Sequence, residues 1–138
     1  MDETSVYRGI VKTGRGAGAQ QMSAAGVLDG FQQLTGLTVI PGTLNLDLVR
    51  PLDLSLLEYV TFAGLGMPPT DLRALGIDHD GEQGVHYRRV VVAGRYPGCL
   101  LSFTWVDRPG INAEVVSPHH LRSILGLRDG DILEFCLV

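Results

Sequence analysis

The sequence has 138 residues, of which 45% are hydrophobic, with 11 basic and 15 acidic side chains and a formal charge of −4. This length and composition predict one soluble globular domain over residues 1–138. Glycine is in excess, because 18 of 138 residues is about 13%, against ~7% in an average protein. So much glycine excludes a mostly helical chain, since each one weakens a helix by roughly 0.5–1 kcal/mol relative to alanine.

Charge and hydropathy exclude further classes. Lys12 is the only lysine, and the arginines are scattered, so the chain lacks the basic surface that binds duplex nucleic acid. No segment approaches the ~18–20 apolar residues of a membrane span, and the acidic start at residues 1–3 is unlike a signal peptide. We therefore expect a cytoplasmic protein with no membrane partner. Cys99 and Cys136 lie in apolar runs without metal-ligand spacing, which predicts buried free thiols.

The first half of the chain alternates short strands with one helix. Residues 6–13 alternate as a strand does and end at the glycine-rich segment 14–18. Four apolar side chains then share one helical face: Val27, Leu28, Phe31 and Leu34. Gly36 follows where a left-handed cap ends a helix. Residues 37–40 are predicted as a strand that leads into a turn at 41–42.

The middle of the chain has weaker patterns. Residues 43–48 alternate strictly, with leucines on one face, and predict a strand. A further strand is predicted over 59–62 and a short helix over 68–76, followed by a polar loop over 78–84. Two strands, over 85–93 and 99–106, are then expected on either side of a connection at residues 95–98.

The last segment predicts two strands and a helix after a turn at residues 107–110. The strands cover 113–117 and 131–137, and a helix over 118–125 ends at Gly126. Altogether the chain has six to eight short strands, two or three short helices and no regular βαβ repeat. This pattern predicts a closed, mainly β barrel.

Three segments contain candidate ligand-binding or catalytic residues, and the first is the glycine-rich segment after the first strand. Unshielded backbone amides between Gly14 and Gly18 can converge on phosphate oxygens, and the guanidinium of Arg15 can add a charge-assisted bond. The spacing matches neither the P-loop nor the dinucleotide-binding fingerprint. A flexible turn without a ligand is the alternative reading.

The second segment is the polar face of the strand over 43–48. Period-two geometry directs the hydroxyl of Thr43, the amide of Asn45 and the carboxylate of Asp47 to one side. Oxygen donors of this kind suit Mg²⁺, which also binds substrate phosphates. A hairpin with a merely polar outer face has the same pattern. The sequence identifies no general base, because Asp47 faces the same way as Thr43 and Asn45 but fits a structural role at least as well.

The third segment runs from Glu114 to Arg122 and predicts a strand followed by a helix with Pro118 in its first turn. His119 and His120 are adjacent and cannot share one face of a helix, so a two-histidine metal site is not expected there. An ordinary junction with solvated histidines is the alternative to a binding site.

These segments, in this order and spacing, resemble the archaeal-type CTP-dependent riboflavin kinase family. The family pattern is Gly-x-Val-x-Ser-Gly-x-Gly-Glu-Gly, then a helix ending in Gly-Phe/Leu, then Gly-Thr-Leu-Asn-Leu, and finally Glu-Ile-Ile-Ala-Pro-x-x-Leu-Arg with Leu-x-x-Gly-Asp. The matching segments here are residues 9–18, 36–37, 42–46, 114–122 and 127–131. The resemblance spans nearly the whole chain except about residues 50–90.

The resemblance implies a six-stranded cradle-loop (RIFT-like) barrel that transfers the γ-phosphate of CTP to the 5′-hydroxyl of riboflavin. Mg²⁺ would be held by Thr43 and Asn45, and the flavin would contact Glu114. The residues that would line the nucleotide are Arg15, Gly16, Ala17, Gly18, Ala19, Gln20, His119, His120, Leu121 and Arg122. The expected partners are these two small molecules, without nucleic acid, in a monomer or weak homodimer.

The chain departs from the family pattern at several positions. Ala17 replaces the loop glutamate, and Gln20 and Gln21 replace aromatic residues. Val106 stands where the family has a flavin-binding threonine, although Thr104 is near enough in sequence to take its place. These departures leave a second hypothesis, a non-catalytic flavin- or nucleotide-binding barrel. A third, a DNA-binding or assembly barrel, shares the Leu-Arg and Gly-Asp elements but conflicts with the charge.

Overall fold

The structure is a computed structural model that describes residues 6–13, 27–39, 44–61, 84–103 and 110–138, together with residues 64 and 108. The described strands are β1 (Val6–Lys12), β2 (Leu44–Leu48), β3 (Glu58–Thr61), β4 (Gly84–Val92), β5 (Tyr96–Phe103), β6 (Asn112–Val116) and β7 (Ile132–Leu137). The helices are α1 (Val27–Thr35) and α2 (Leu121–Ile124), and a 3₁₀ turn covers Leu54–Leu56. None of the helices in these ranges is long and apolar enough to cross a membrane.

Six of the strands close into an antiparallel barrel, which confirms the predicted fold class. The order around the barrel is β4-β5-β6-β2-β1-β7, and β7 pairs back onto β4. The first half of β4 pairs with β3, where Glu58 lies opposite Tyr87. The second half pairs with β7, where Val92 lies opposite Phe135. One edge of β4 therefore serves two neighbours.

Alternating burial builds the interior of the barrel. Along β2 the leucines 44, 46 and 48 point inward and are buried, whereas Asn45 and Asp47 lie on the outer face and are half-buried. Phe135 and Leu46 are fully buried, and Phe135 stacks on Tyr7 with ring centroids 5.7 Å apart. Gly9 has no side chain on the inner face of β1, and Leu46 occupies the space beside it. Hydrophobic burial inside this closed surface holds the strands together.

The predicted helix ends agree with the structure better than the predicted helix starts do. Gly36 ends α1 with φ of +73°, and Gly126 follows α2 with φ of +62°, as predicted. The expected helix start at Pro118 is wrong, because α2 begins only at Leu121. His120 caps it through Nδ1, which accepts a bond from the Ser123 amide at 3.3 Å.

One predicted strand and one predicted connection also differ from the structure. Residues 37–39 form no strand, although Leu37 and Val39 are buried. The turn between β4 and β5 lies at residues 93–95 and not at 95–98, because the positive φ angles of Ala93 and Gly94 match the twist of a tight hairpin. Pro97 belongs to β5, beyond the residues that pair with β6, where a missing N–H is tolerated.

The remaining predicted elements agree or fall outside the description. The strands expected over 59–62, 113–117 and 131–137 are present as β3, β6 and β7, each shifted by about a residue. The helix expected over 68–76 and most of the loop over 78–84 lie outside the described residues, and Gly84 begins β4.

Candidate functional site

Two of the predicted site residues are direct neighbours on the outer face of the barrel. Asn45 of β2 lies opposite Glu114 of β6, and on its other side it lies opposite Lys12 of β1. Directly opposite side chains in an antiparallel sheet have Cβ atoms about 4.5–5.5 Å apart. Strand register therefore brings the proposed metal ligand and the proposed flavin-binding carboxylate side by side.

The donors present in this row fit Mg²⁺. The amide oxygen of Asn45 and the carboxylate of Glu114 are hard oxygen ligands, and both side chains are half-buried at the surface. Their partial exposure leaves room for the waters and phosphate oxygens that Mg²⁺ usually keeps. Thr43, the other expected ligand, lies outside the described residues. Within the described ranges, no three His, Cys, Asp or Glu side chains cluster closely enough to form a metal site by themselves.

The same row continues from Glu114 to a buried leucine and then to a tyrosine. Leu101 of β5 lies opposite Glu114, and Tyr87 of β4 lies opposite Leu101. The Tyr87 hydroxyl donates a 2.9 Å hydrogen bond to Glu58 Oε2. Burial, together with the Glu58 carboxylate, raises the pKa of Tyr87 to about 12. Neither Tyr87 nor Glu58 was singled out in the sequence.

A lysine-centred cluster that the sequence did not reveal joins this row to the neighbouring outer row, in which Asp47 lies opposite Asn112. Lys12 Nζ donates to Asp47 Oδ1 at 2.8 Å and to Asn112 Oδ1 at 2.6 Å, which joins strands β1, β2 and β6. The guanidinium of Arg108 lies 3.7 Å from the same Asp47 oxygen. The Asp47 carboxylate therefore has a structural ion pair, which favours the structural alternative over a general base. The sequence offered one indication of this cluster, which is that Lys12 is the only lysine in the chain.

The end of β1 is tied to the segment that follows α2. Thr13 Oγ1 donates to Asp129 Oδ2 at 2.6 Å, and Arg122 Nη2 donates to Asp129 Oδ1 at 2.9 Å and to the Lys12 carbonyl at 3.4 Å. We call Thr13, Arg122 and Asp129 the Asp129 latch. The Thr13 hydroxyl and then the Arg122 guanidinium hold the pKa of Asp129 below its usual value. The latch brings Arg122, a predicted nucleotide residue, to the residue preceding the glycine-rich segment.

The turn before α2 is braced by β5. Ser117 Oγ donates to the Pro97 carbonyl at 2.7 Å and accepts from the His119 amide at 3.1 Å. The His119 ring meets Tyr96 edge to face, with centroids 5.3 Å apart. His119 and His120 remain exposed, whereas the side chain of Leu121 is buried in the core, so Leu121 offers a ligand only its backbone.

The structure thus describes six of the predicted site residues: Asn45, Glu114, His119, His120, Leu121 and Arg122. Register joins Asn45 to Glu114, and the latch joins Arg122 to the end of β1. The glycine-rich residues 15–20, with Thr43 and Thr104, lie outside the described residues.

The fold and the polar outer row define a class, a small closed antiparallel β-barrel with its candidate ligand groups around the end of β1. The family model CTP-dep_RFKase, described as Domain of unknown function DUF120, matches residues 11–136. This chain belongs to the archaeal-type CTP-dependent riboflavin kinase family.

Curated relatives agree with the family match. A protein named riboflavin kinase from Methanocella arvoryzae is 32% identical over 135 residues, which cover 96% of this chain and 56% of the relative. One of the same name from Pyrobaculum islandicum is 33% identical over 128 residues, which cover 91% of this chain and 57% of the relative. A third, from Methanospirillum hungatei, is 32% identical over 142 residues, covering 95% and 57% respectively. The chain spans just over half the length of these relatives.

Proposed function

We propose that this chain is a CTP-dependent riboflavin kinase, which transfers the γ-phosphate of CTP to the 5′-hydroxyl of riboflavin and releases FMN and CDP. The observation that carries the proposal is the pairing of Asn45 with Glu114 across β2 and β6. In this arrangement the proposed metal ligand and the proposed flavin contact would lie on neighbouring strands. Membership of the family and the names of the relatives support the same activity.

The roles follow from the placement of the groups. Residues 15–20 and 119–122 would bind the nucleotide, and Thr43 with Asn45 would hold Mg²⁺, which neutralises charge on the phosphate oxygens when bound. Glu114, with Thr104, would contact the flavin and orient its hydroxyl toward the phosphate. Phosphoryl transfer depends mainly on positioning and charge neutralisation, so a barrel surface of this kind is sufficient without a covalent nucleophile.

The activity is tested by incubating the protein with riboflavin, Mg²⁺ and either CTP or ATP and separating the flavins by chromatography. We expect FMN with CTP. Absence of FMN with CTP would refute the proposed reaction, and FMN with ATP alone would refute the choice of nucleotide.

The metal and phosphate site is tested by Asn45→Ala and Thr43→Ala. We expect each to lower kcat at least a hundredfold while the circular dichroism spectrum stays unchanged, because the lost group contacts the reacting phosphate. Gln33→Ala is the matched control, since it removes an exposed amide from helix α1. Turnover near the wild-type rate in Asn45→Ala would remove the proposed metal site.

The departures at Ala17, Gln20 and Val106 favour one competing function, a flavin- or nucleotide-binding barrel without catalysis. Titration calorimetry with CDP and with riboflavin separates the two. Tight binding of either ligand combined with no turnover would favour the binding module.

A further inference from the structure

The Asp129 latch leaves part of the Arg122 side chain available to a ligand. Within the described residues, only Nη2 of the guanidinium is bonded, to Asp129 and to the Lys12 carbonyl. A guanidinium has five N–H donors, and Nη2 carries two of them. The bonds of Nη2 to Asp129 and the Lys12 carbonyl fix the orientation of the guanidinium. The donors on Nε and Nη1 therefore point in a defined direction. Arg122 is only about one-third exposed, at 36% of its side-chain surface, which limits the other rotamers it can adopt.

The Asp129 carboxylate lies at the end of β1, where Thr13 directly precedes the glycine-rich segment in the sequence. Asp129 accepts from Thr13, the last described residue before that segment, and from Arg122 with its other carboxylate oxygen. The Asp129 carboxylate thus bridges the end of β1 and the guanidinium, beside the direct bond from Arg122 to the Lys12 carbonyl. Both bonds are charge-assisted, and such bonds are shorter and stronger than neutral ones.

We propose that Asp129 is a positioning residue for the nucleotide. It holds the guanidinium of Arg122 beside Lys12 and Thr13 at the end of β1, so that the Nε and Nη1 donors meet a phosphate of the bound nucleotide. This inference rests on the proposed function and adds to it the residue that orients Arg122. Asp129 stands at an open position of the Leu-x-x-Gly-Asp motif, so the family resemblance assigns it no role.

Backbone hydrogen bonds hold the turn of Asp129 onto β1 without its side chain. The turn that carries it is joined to β1 by backbone bonds, from the Gly130 amide to the Val11 carbonyl and from the Val11 amide to the Asp131 carbonyl, both at 2.8 Å. The carboxylate itself is about half exposed. Its removal should therefore change the direction of Arg122 without opening the barrel.

Steady-state kinetics of Asp129→Ala and Asp129→Asn, with CTP and riboflavin varied separately, test the proposal. We expect the KM for CTP to rise about tenfold in Asp129→Ala, and less in Asp129→Asn, which keeps an acceptor oxygen. The KM for riboflavin and the thermal midpoint should stay within error of the wild type. Glu134→Gln is the matched control, because its exposed carboxylate also pairs with an arginine, Arg8, at 3.2 Å.

Calorimetry with CDP and Mg²⁺ gives a readout that does not need turnover. We expect Asp129→Ala to weaken CDP binding about tenfold, and Arg122→Ala to weaken it at least as much. Because Asp129 acts through Arg122, the double variant should bind CDP no more weakly than Arg122→Ala alone. Additive losses, equal changes in both KM values, or unchanged CDP affinity would overturn the proposal. Wild-type protein that binds CDP but forms no FMN would refute the kinase and leave the CDP affinities to decide the role of Asp129.

Discussion

Gly9 of β1 packs directly against Leu46 of β2 inside the barrel, and its replacement by alanine is a stringent test of the packing. A Cβ on Gly9 would lie 2.9 Å from Cβ of Leu46, 3.1 Å from Cδ1 and 3.3 Å from Cγ. The shortest of these contacts involves an atom bonded directly to the backbone of β2, so a rotamer change cannot relieve it. The backbone of Gly9 is outside the left-handed region, so the methyl group adds no conformational strain.

The expected cost follows from two opposing contributions. Adding a methylene-sized group to a well-packed core costs about 1–3 kcal/mol. Exchange of glycine for alanine in a strand returns roughly 0.5–1 kcal/mol, because it restricts the unfolded chain. Since Leu46 is fully buried and its Cβ cannot move alone, we expect Gly9→Ala to lower the free energy of unfolding by about 1–2 kcal/mol. That loss corresponds to a fall in Tm of roughly 4–8 °C.

Urea unfolding followed by circular dichroism measures this loss, and a double-variant cycle identifies its cause. In a Leu46→Ala background the contacts to Cγ and Cδ1 are gone, so Gly9→Ala should cost at least about 0.5 kcal/mol less than in the wild type. Gly94→Ala is the control, because its φ is +69° and no other atom lies within 4 Å. Its cost should be the same in both backgrounds. Unchanged or higher stability of Gly9→Ala would refute the steric reasoning.

Two further predictions concern single side chains. We expect a thiol reagent to modify Cys136 in the native protein much faster than Cys99, because Cys99 is 1% exposed and burial raises its pKa to about 12. Equal rates by mass spectrometry would contradict that burial. We also expect Lys12→Met to lower the free energy of unfolding in urea by about 0.5–1.5 kcal/mol, since the ammonium joins three strands. Arg8→Met should cost less, because its ion pair is more exposed, and a larger loss for Arg8→Met would contradict the role of Lys12 in joining the three strands.

The barrel strands and the row of proposed ligands were predictable wherever the local sequence pattern determines the structure. Strict alternation along residues 43–48 gave both the strand and its outward-facing Asn45, and the family pattern gave Glu114. Gly36 and Gly126 correctly predicted the ends of α1 and α2, because few other residues adopt the left-handed cap. These features depend on neighbours a few residues away, so sequence periodicity is enough to find them.

The bonds that organise the site depend on strand register, and local pattern does not determine register. Lys12 binds Asn112 across 100 residues, and Thr13 binds Asp129 across 116 residues. The error at Pro118 has a similar origin. The hydroxyl of Ser117 binds the carbonyl of Pro97 from another strand, and this contact holds the following residues in a turn before the helix begins.

The pairing of β7 between β1 and β4 has a consequence for synthesis on the ribosome. Val6 lies opposite Cys136, so the first described strand finds this partner only after residues 132–137 have been made. Until then one edge of β1 and the second half of one edge of β4 are unpaired, and such edges readily pair with other chains. We therefore expect barrel closure to wait until β7 has been synthesised, and nascent chains that stop before β7 should be substrates for chaperones.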